Sequence, residues 1–283
     1  MIYRVTHRTS YAYSAPVFLE PHTVRLRPRG EACQEVRDFT MSVEPAPAGI
    51  HHHLDAEGNC ATALWFSDRT AALAVATSFE VRTSCPNPFG YLVADQAFQR
   101  LPARYGPEEA AALAPYLAPV EPGAAAAEFA GAVAAEAGRG TLEFLGRLCA
   151  SIHGSFSQEI REEGPARPPS VTVRDRLGAC RDLALLYLAA CRSVGLAARF
   201  VSGYQEGDAD MDERHLHAWA EVYVPGGGWR GYDPSHGLAV ADRHIPVAAS
   251  RVPEGAAAFT GTFRGTGATA TMSHRISLAR IAE

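Results

Sequence analysis

The sequence predicts an α+β fold in which an N-terminal antiparallel β-sandwich precedes a core of mixed helices and strands. Residues 1 to about 95 contain five or more short runs rich in β-branched and aromatic residues, separated by Pro, Gly, Asp and Asn. Short alternating runs at this spacing favour a sandwich. Later runs with apolar residues three, four and seven apart indicate helices. We therefore predict a β-rich domain over residues 1–100 and a second domain over residues 101–283 that ends in a C-terminal β segment.

The strands predicted for the first domain are residues 2–13, 17–27, 36–43, 59–66 and 72–82. Between the third and fourth, Asp55 to Asn59 supplies the Gly and Asn that a hairpin turn with positive φ requires. His51, His52 and His53 precede that turn. Consecutive side chains on an extended chain point to alternate faces, so at most two of the three could share an ion. We predict an exposed loop here rather than a metal site.

Residues 85–108 form a linker rich in Pro and Gly. The next stretch, to residue 136, is rich in Ala but interrupted by Pro115, Pro119 and Pro122, which predicts two short helices. Residues 141–156 have a clear apolar helical face. A short extended segment and a charged, Pro-rich loop follow, and this loop leads to the stretch that carries the chemistry.

Composition excludes several function classes. The 283 residues carry a formal net charge of −5, so there is no basic surface of the kind a nucleic-acid partner needs. The first residues lack the apolar segment of a signal peptide, and no run approaches the roughly 20 apolar residues of a membrane span. We expect a cytoplasmic protein without a membrane partner. The six cysteines show no CxxC spacing, so we expect free thiols rather than a disulfide framework.

The stretch from Gly178 to Tyr204 organises the second domain. Gly-Ala-Cys180 leads into an apolar helical run that Gly195 ends. The Cys180 thiol is thus expected at a helix N-terminus, where unpaired backbone N–H groups and the helix dipole stabilise a thiolate. A nucleophilic thiol of this kind offers acyl-transfer chemistry if an imidazole and an orienting carboxylate lie within reach.

His217 and Asp233 provide these groups on two later strand-like runs. Pro225-Gly-Gly-Gly228 between the runs is a ready hairpin turn, so the two strands are expected to be antiparallel neighbours. With the turn centred near residue 226, positions 217 and 233 lie within about two residues of direct register. The two side chains could therefore meet across the ladder.

Four segments carry a family resemblance: Gly-Ala-Cys180-Arg-Asp, Leu-Ala-Ala-Arg-Phe-Val-Ser-Gly-Tyr204, His217-Ala-Trp-Ala-Glu-Val-Tyr and Gly-Trp-Arg-Gly-Tyr-Asp233-Pro. They resemble the core of the transglutaminase-like superfamily, in particular the bacterial branch with a β-rich N-terminal region. Residues 145–237 carry the match, and the N-terminal domain is similar more loosely. The resemblance implies a papain-like transglutaminase core without a cofactor. It also implies a triad of Cys180 as nucleophile, His217 as base and acid, and Asp233 as orienting group.

Three neighbours of the triad are singled out. Papain-like enzymes take a second oxyanion-hole donor from a side chain upstream of the nucleophile, and Gln158 is the candidate, although an exposed strand glutamine is as consistent with the sequence. Asp182 is too close to Cys180 in sequence to orient the histidine, so we expect it to bond the helix start or a neighbouring loop. Trp219 shares a strand face with His217 and is expected to fill the core and shield the imidazole.

A zinc site of Cys180, His215, His217 and Asp233 is the metal alternative. Two histidines on one strand with one distant cysteine are weak ligand spacing, and the resemblance explains the same residues without metal, so we predict no metal. His236 is expected to be a turn residue near the cleft mouth.

Two functions remain open. The first is thiol-dependent acyl transfer on peptide or glutamine side-chain amides through a thioester. Water would resolve that thioester in a cysteine peptidase or amidase, and an amine acceptor would resolve it in a transglutaminase. The second is a catalytically inactive binding or scaffolding protein on the same fold. The intact Cys, His and Asp favour the enzyme, with a peptide or protein amide as its substrate.

Overall fold

The computed structural model describes residues 1–120, 123–207 and 214–281. Its helices are α1 (Pro107–Leu117), α2 (Ala124–Glu136), α3 (Thr141–Ser155), α4 (Pro169–Asp175) and α5 (Cys180–Ser193), with short 3-10 helices at Gln96–Phe98 and Pro253–Ala256. Its strands are β1 (Ile2–Leu19), β2 (His22–Val24), β3 (Gln34–Glu44), β4 (Gly49–Leu54), β5 (Cys60–Trp65), β6 (Arg69–Thr83), β7 (Ser157–Gln158), β8 (Leu177–Gly178), β9 (Ala198–Gln205), β10 (His217–Val224), β11 (Gly228–Asp233), β12 (Leu238–Ala239), β13 (His244–Ser250), β14 (Phe259–Thr260), β15 (Phe263–Arg264) and β16 (Ala270–Ile281).

Two antiparallel sheets form the predicted sandwich. The first has the order β15-β1-β6-β3, with β16 also paired to β1, and the second has the order β14-β2-β5-β4. Along β1 the residues Tyr3, Val5, His7 and Thr9 are buried in alternation with more exposed neighbours, as expected of a strand with one face against a core. Apolar side chains from both sheets pack between them: Tyr13, Val17, Leu19, Val24, Leu26, Leu64, Phe66, Leu73 and Val75.

The C-terminal β segment, which we expected to complete the second domain, lies instead in the first sheet. β16 pairs with β1 over twelve positions, from Ile2 opposite Ile281 to Tyr13 opposite Ala270. β1 lies inside the sheet and needs a partner on each side, and the partner on this side comes from the far end of the chain. The proposed boundary near residue 100 stays a prediction.

The loop predicted at His51 to His53 is wrong. These residues form the middle of β4, which pairs with β5, and the Asp55–Asn59 hairpin joins the two strands as predicted. The three histidines are exposed, and the rings of His51 and His53 stack on one face with centroids 5.4 Å apart. β4 is an edge strand, so polar side chains are tolerated on both of its faces.

The core of the second domain is a five-stranded antiparallel sheet with helices on one face. The strand order is β12-β11-β10-β9-β13, and α5 is its main helical partner. The predicted helices over residues 108–136 and 141–156 are confirmed as α1, α2 and α3. Pro115 lies inside α1 rather than ending it. Pro122 lies outside the described residues, and α4 occupies a stretch for which the sequence analysis indicated no helix.

The sandwich packs directly against this sheet. Tyr3, Val5 and Phe79 of the sandwich share an apolar cluster with Tyr204 and Ile245 of the core. The turn after β4 adds polar contacts, since the buried Asn59 side chain accepts from the backbone N–H of Ala249 at 2.8 Å and donates to its carbonyl at 2.9 Å. The sandwich therefore fixes β13, which carries a residue of the site described below.

The expectation that all cysteines are free is also wrong. Cys33 and Cys85 form a disulfide that joins the start of β3 to the segment after β6, while Cys60, Cys149, Cys180 and Cys191 are free. The two partners are 52 residues apart, and their proximity depends on the pairing of β3 with β6. Sequence spacing carries no sign of it. Among the described residues, none of the helices is long and apolar enough to cross a membrane.

Candidate active site

Cys180 is the first residue of α5. The preceding residue, Ala179, has an extended backbone, and its N–H donates to the Asp182 carboxylate at 2.9 Å. Cys180 itself is partly exposed, whereas nearly all of the following helix is buried. The thiol therefore lies at an accessible helix N-terminus, as predicted, where the dipole favours an anion.

His217 and Asp233 meet as the hairpin predicts. β10 and β11 pair in an antiparallel register with Ala220 opposite Tyr232, which leaves positions 217 and 233 two residues out of direct register. His217 Nε2 lies 2.7 Å from Asp233 Oδ2. Cys180 interacts with the same imidazole and with the Ala218 backbone N–H, and both interactions lower the pKa of the thiol. The imidazole of His217 thus lies between the thiol and the carboxylate and interacts with both.

The electrostatics of this chain favour a thiolate–imidazolium pair. Burial opposes charge on Cys180, but the hydrogen bond and charge of His217 outweigh it, so the thiol pKa is lowered from its ordinary value. Burial likewise opposes charge on His217, yet the adjacent Asp233 carboxylate and the Cys180 thiolate raise the imidazole pKa to about 10. The lowered thiol pKa and the raised imidazole pKa together favour a negative sulfur beside a positive ring.

Asp233 is fully buried and accepts from more groups than the sequence analysis foresaw. Oδ2 lies 2.7 Å from His217, 2.8 Å from His236 Nδ1 and 3.0 Å from His244 Nε2. Oδ1 accepts from the backbone N–H groups of Ser235 and His236. Burial alone would raise the pKa of this carboxyl, but His217 and the hydrogen bonds hold it well below its usual range. Asp233 therefore stays ionised beside the imidazolium.

His244 is the residue that the sequence analysis missed. It is buried at the start of β13, and its ring lies edge-on to Trp219 at 5.2 Å. Burial, opposed by Asp233, lowers the pKa of His244, so the ring is neutral and donates Nε2–H to that carboxylate. No local pattern could have revealed this, because residues 238–244 run from one edge of the sheet to the other. His236 is the predicted turn residue. Its position three residues after Asp233 could have indicated that its ring contacts the Asp233 carboxylate.

The predicted neighbours take distinct places. Trp219 is fully buried and stacks on His217 with ring centroids 6.2 Å apart, consistent with core filling and shielding. Asp182 bonds both the helix start and a neighbouring loop, as expected: it pairs with the Arg161 guanidinium at 2.7 and 2.8 Å and accepts from the Arg167 backbone at 2.7 Å. Gln158 is exposed on β7, aligned with Gly178 of β8.

The structure does not bring the four candidate zinc ligands together. Among the described residues, the donor atoms of Cys180, His215, His217 and Asp233 form no common cluster. Instead, His215 Nδ1 lies 3.1 Å from His274 Nε2.

Trp219 and His244 also line a cavity of about 440 Å³ between the sheet and the sandwich.

The fold and this constellation define a papain-like thiol-enzyme architecture, and comparisons with known proteins place it in a family. Residues 3–82 match the bacterial transglutaminase-like N-terminal region, and residues 129–234 match the transglutaminase-like superfamily core. The chain belongs to the bacterial branch of this superfamily.

Individual proteins are similar to this chain over most of its length. An uncharacterized protein of Mycobacterium tuberculosis is 30% identical over 263 residues, covering 88% of this chain and 83% of the relative. One of Mycobacterium leprae is 27% identical over 289 residues, covering 94% of each. A crystal structure from Cytophaga hutchinsonii, named a “Putative Cysteine Protease”, superposes with a TM-score of 0.74 at 19% identity, covering 100% of this chain and 92% of that one. The last likeness shows the shared fold.

Proposed function

We propose that the protein is a thiol-dependent amide hydrolase that acts on peptide or protein substrates. The observation that carries the proposal is the row of interacting groups from Cys180 through His217 to Asp233, with Cys180 partly exposed at a helix N-terminus. Family membership and the protease-like fold support a peptide or protein as the substrate. The cytoplasmic location remains a prediction, and the Cys33–Cys85 disulfide, a feature commoner in oxidising compartments, does not favour it.

The first half of the reaction uses the charged pair. The Cys180 thiolate attacks the carbonyl carbon of the amide, forming a C–S bond and placing negative charge on the carbonyl oxygen. The His217 imidazolium then donates its proton to the amide nitrogen as the C–N bond breaks. The amine leaves and a thioester remains on Cys180, with His217 neutral and Asp233 still ionised.

The second half restores the pair. Water attacks the thioester carbonyl while His217 takes its proton, and collapse of the intermediate releases a carboxylic acid and the Cys180 thiolate. The backbone N–H of Cys180 is the first candidate to stabilise the oxyanion in both halves, and Gln158 is the candidate second donor. An amine in place of water would form a new amide, which is the transglutaminase outcome.

The test is to trap the acyl-enzyme. The wild-type chain and Cys180→Ala are incubated with a mixture of N-acylated peptide amides, and covalent adducts and products are read by mass spectrometry, with and without a primary amine. A thioester adduct confined to Cys180, followed by free acid, supports the hydrolase. Products that require the added amine identify an acyltransferase. If a correctly folded chain gives no adduct and no turnover with any peptide in the mixture, the result would favour the alternative of a catalytically inactive scaffolding protein.

A further inference from the structure

A second group of metal-ligating side chains lies outside the triad, where three segments of the chain meet. His215 precedes β10, His274 lies on β16, and Glu162 lies in the loop between β7 and α4. His215 Nδ1 is 3.1 Å from His274 Nε2 and 4.0 Å from Glu162 Oε1, and the three donor atoms all lie within 4.8 Å of one another. We propose that these three side chains bind a zinc ion.

The spacing of the donors suits zinc. With bonds of 2.0–2.1 Å in a tetrahedron, neighbouring donor atoms lie about 3.3 Å apart. The two imidazole nitrogens already have this separation to within about 0.2 Å. The Glu162 oxygen lies 4.0 Å from His215 Nδ1 and would approach that atom by roughly 0.7 Å to match. The Glu162 side chain is 54% exposed, so little packing opposes the movement.

The chemistry of the donors suits zinc as well. Two neutral imidazoles and one carboxylate are ligands that zinc accepts, and they leave a fourth position for water. Without an ion, the two ring nitrogens face each other and one must carry a proton to satisfy the contact. A divalent cation would replace that single proton, and the Glu162 carboxylate would balance part of its charge.

The location gives the ion a consequence for the candidate active site. His215 is two residues before His217, so their Cα atoms are about 7 Å apart on extended chain. Arg161, next to Glu162, holds Asp182 of α5 at 2.7 Å. A bound ion would therefore link the loop at residues 159–168 to the segment before β10 and to β16 of the first sheet. Zinc should protect this loop from proteolysis without contacting Cys180.

The experiment uses the full chain carrying Cys180→Ala, so that its result is independent of the proposed enzyme function. After dialysis against EDTA, ZnCl₂ is titrated by calorimetry and CoCl₂ by absorption spectroscopy. We expect one ion per chain and visible bands of a four-coordinate cobalt site. His215→Ala and His274→Ala should weaken binding at least about tenfold, and Glu162→Gln by roughly tenfold.

Matched controls locate the ion. The double variant His51→Ala/His53→Ala removes the stacked pair on β4, and His236→Ala disrupts the other candidate group around Asp233. Both should keep the parent affinity. Loss of binding in either control but not in His215→Ala would overturn the proposal. So would a failure of zinc to bind the Cys180→Ala chain at millimolar concentration. If His274→Ala folds poorly, His274→Gln gives the same test with less loss of packing.

Discussion

His244 Nε2 lies 3.0 Å from Asp233 Oδ2, so the carboxylate oxygen that holds His217 is shared with a second, fully buried imidazole. A carboxylate in this position must keep one rotamer to orient the His217 ring. His244 donates to it from β13, which the buried Asn59 of the sandwich fixes in turn. We infer that His244 is a positioning residue that acts through Asp233.

The first prediction follows from that hydrogen bond. Replacing His244 by Phe keeps an aromatic ring but removes the donor, and a hydrogen bond to a charged group contributes about 1.5–3 kcal/mol. kcat/KM on an amide substrate should fall roughly 10- to 100-fold, since about 1.4 kcal/mol is a factor of ten, and KM should change little. His236→Ala is the matched control: its side chain is 38% exposed, so its loss should matter less. Equal kcat/KM in His244→Phe and the wild type would contradict the inference.

The second prediction concerns pH. The lowered pKa of Cys180 and the raised pKa of His217, near 10, define a window in which the thiolate–imidazolium pair exists. In buffer with EDTA, alkylation of Cys180 should already be fast well below the free-thiol pKa of about 8.5. It should slow only as the pH falls through the lowered thiol pKa. kcat/KM should also decline on the alkaline side, as His217 loses its proton.

Peptide mass spectrometry provides the internal controls for that profile. Burial raises the pKa of the Cys149 and Cys191 thiols, so both should react far more slowly than Cys180 in the same sample. In His217→Ala, Cys180 loses the group that lowers its pKa and should become unreactive at neutral pH. A profile for Cys180 that is identical with and without His217 would exclude the ion pair.

The third prediction tests Gln158 as an oxyanion donor. β7 and β8 pair in parallel with Gln158 aligned to Gly178, so the backbone of Gln158 lies beside a residue that is two positions before Cys180. Gln158→Ala should lower kcat about tenfold or more if the amide donates to the oxyanion. The neighbouring Ser157→Ala, also on β7 and also exposed, should leave kcat unchanged. Unchanged turnover in both variants would remove Gln158 from the site.

Local sequence signals account for the features that could be predicted, and pairing between distant segments accounts for those that could not. Cys180 could be placed because the helix start, the apolar face of α5 and Gly195 are all local. His217 and Asp233 could be paired because one short turn sets their register. β16 beside β1, the Cys33–Cys85 disulfide and His244 beside Asp233 are contacts between distant segments. These contacts form only when whole sheets pack together, and neither residue spacing nor periodicity in the sequence predicts that packing.

The fourth prediction concerns Asp182, which stabilises the helix start that carries Cys180, the proposed nucleophile. Its buried carboxylate binds Arg161, the Arg167 backbone and the Ala179 N–H directly before Cys180. Burial would raise its pKa, but these donors outweigh burial and lower it. Breaking a buried pair of this kind costs about 3–5 kcal/mol, so Asp182→Asn should lower the free energy of unfolding by that order at pH 7.

The sign of the pH dependence distinguishes this effect from a packing defect. Because the pKa of Asp182 is lower in the folded state, its stabilisation is fully present above the unfolded value of about 3.9 and is lost as the pH falls below it. The gap between wild type and Asp182→Asn in urea unfolding should therefore shrink in acid. Asp175→Asn, in an exposed pair with Arg174, is the control and should unfold like the wild type. A gap of constant size from pH 7 to pH 3 would show that the charge of Asp182 is not what stabilises the start of α5.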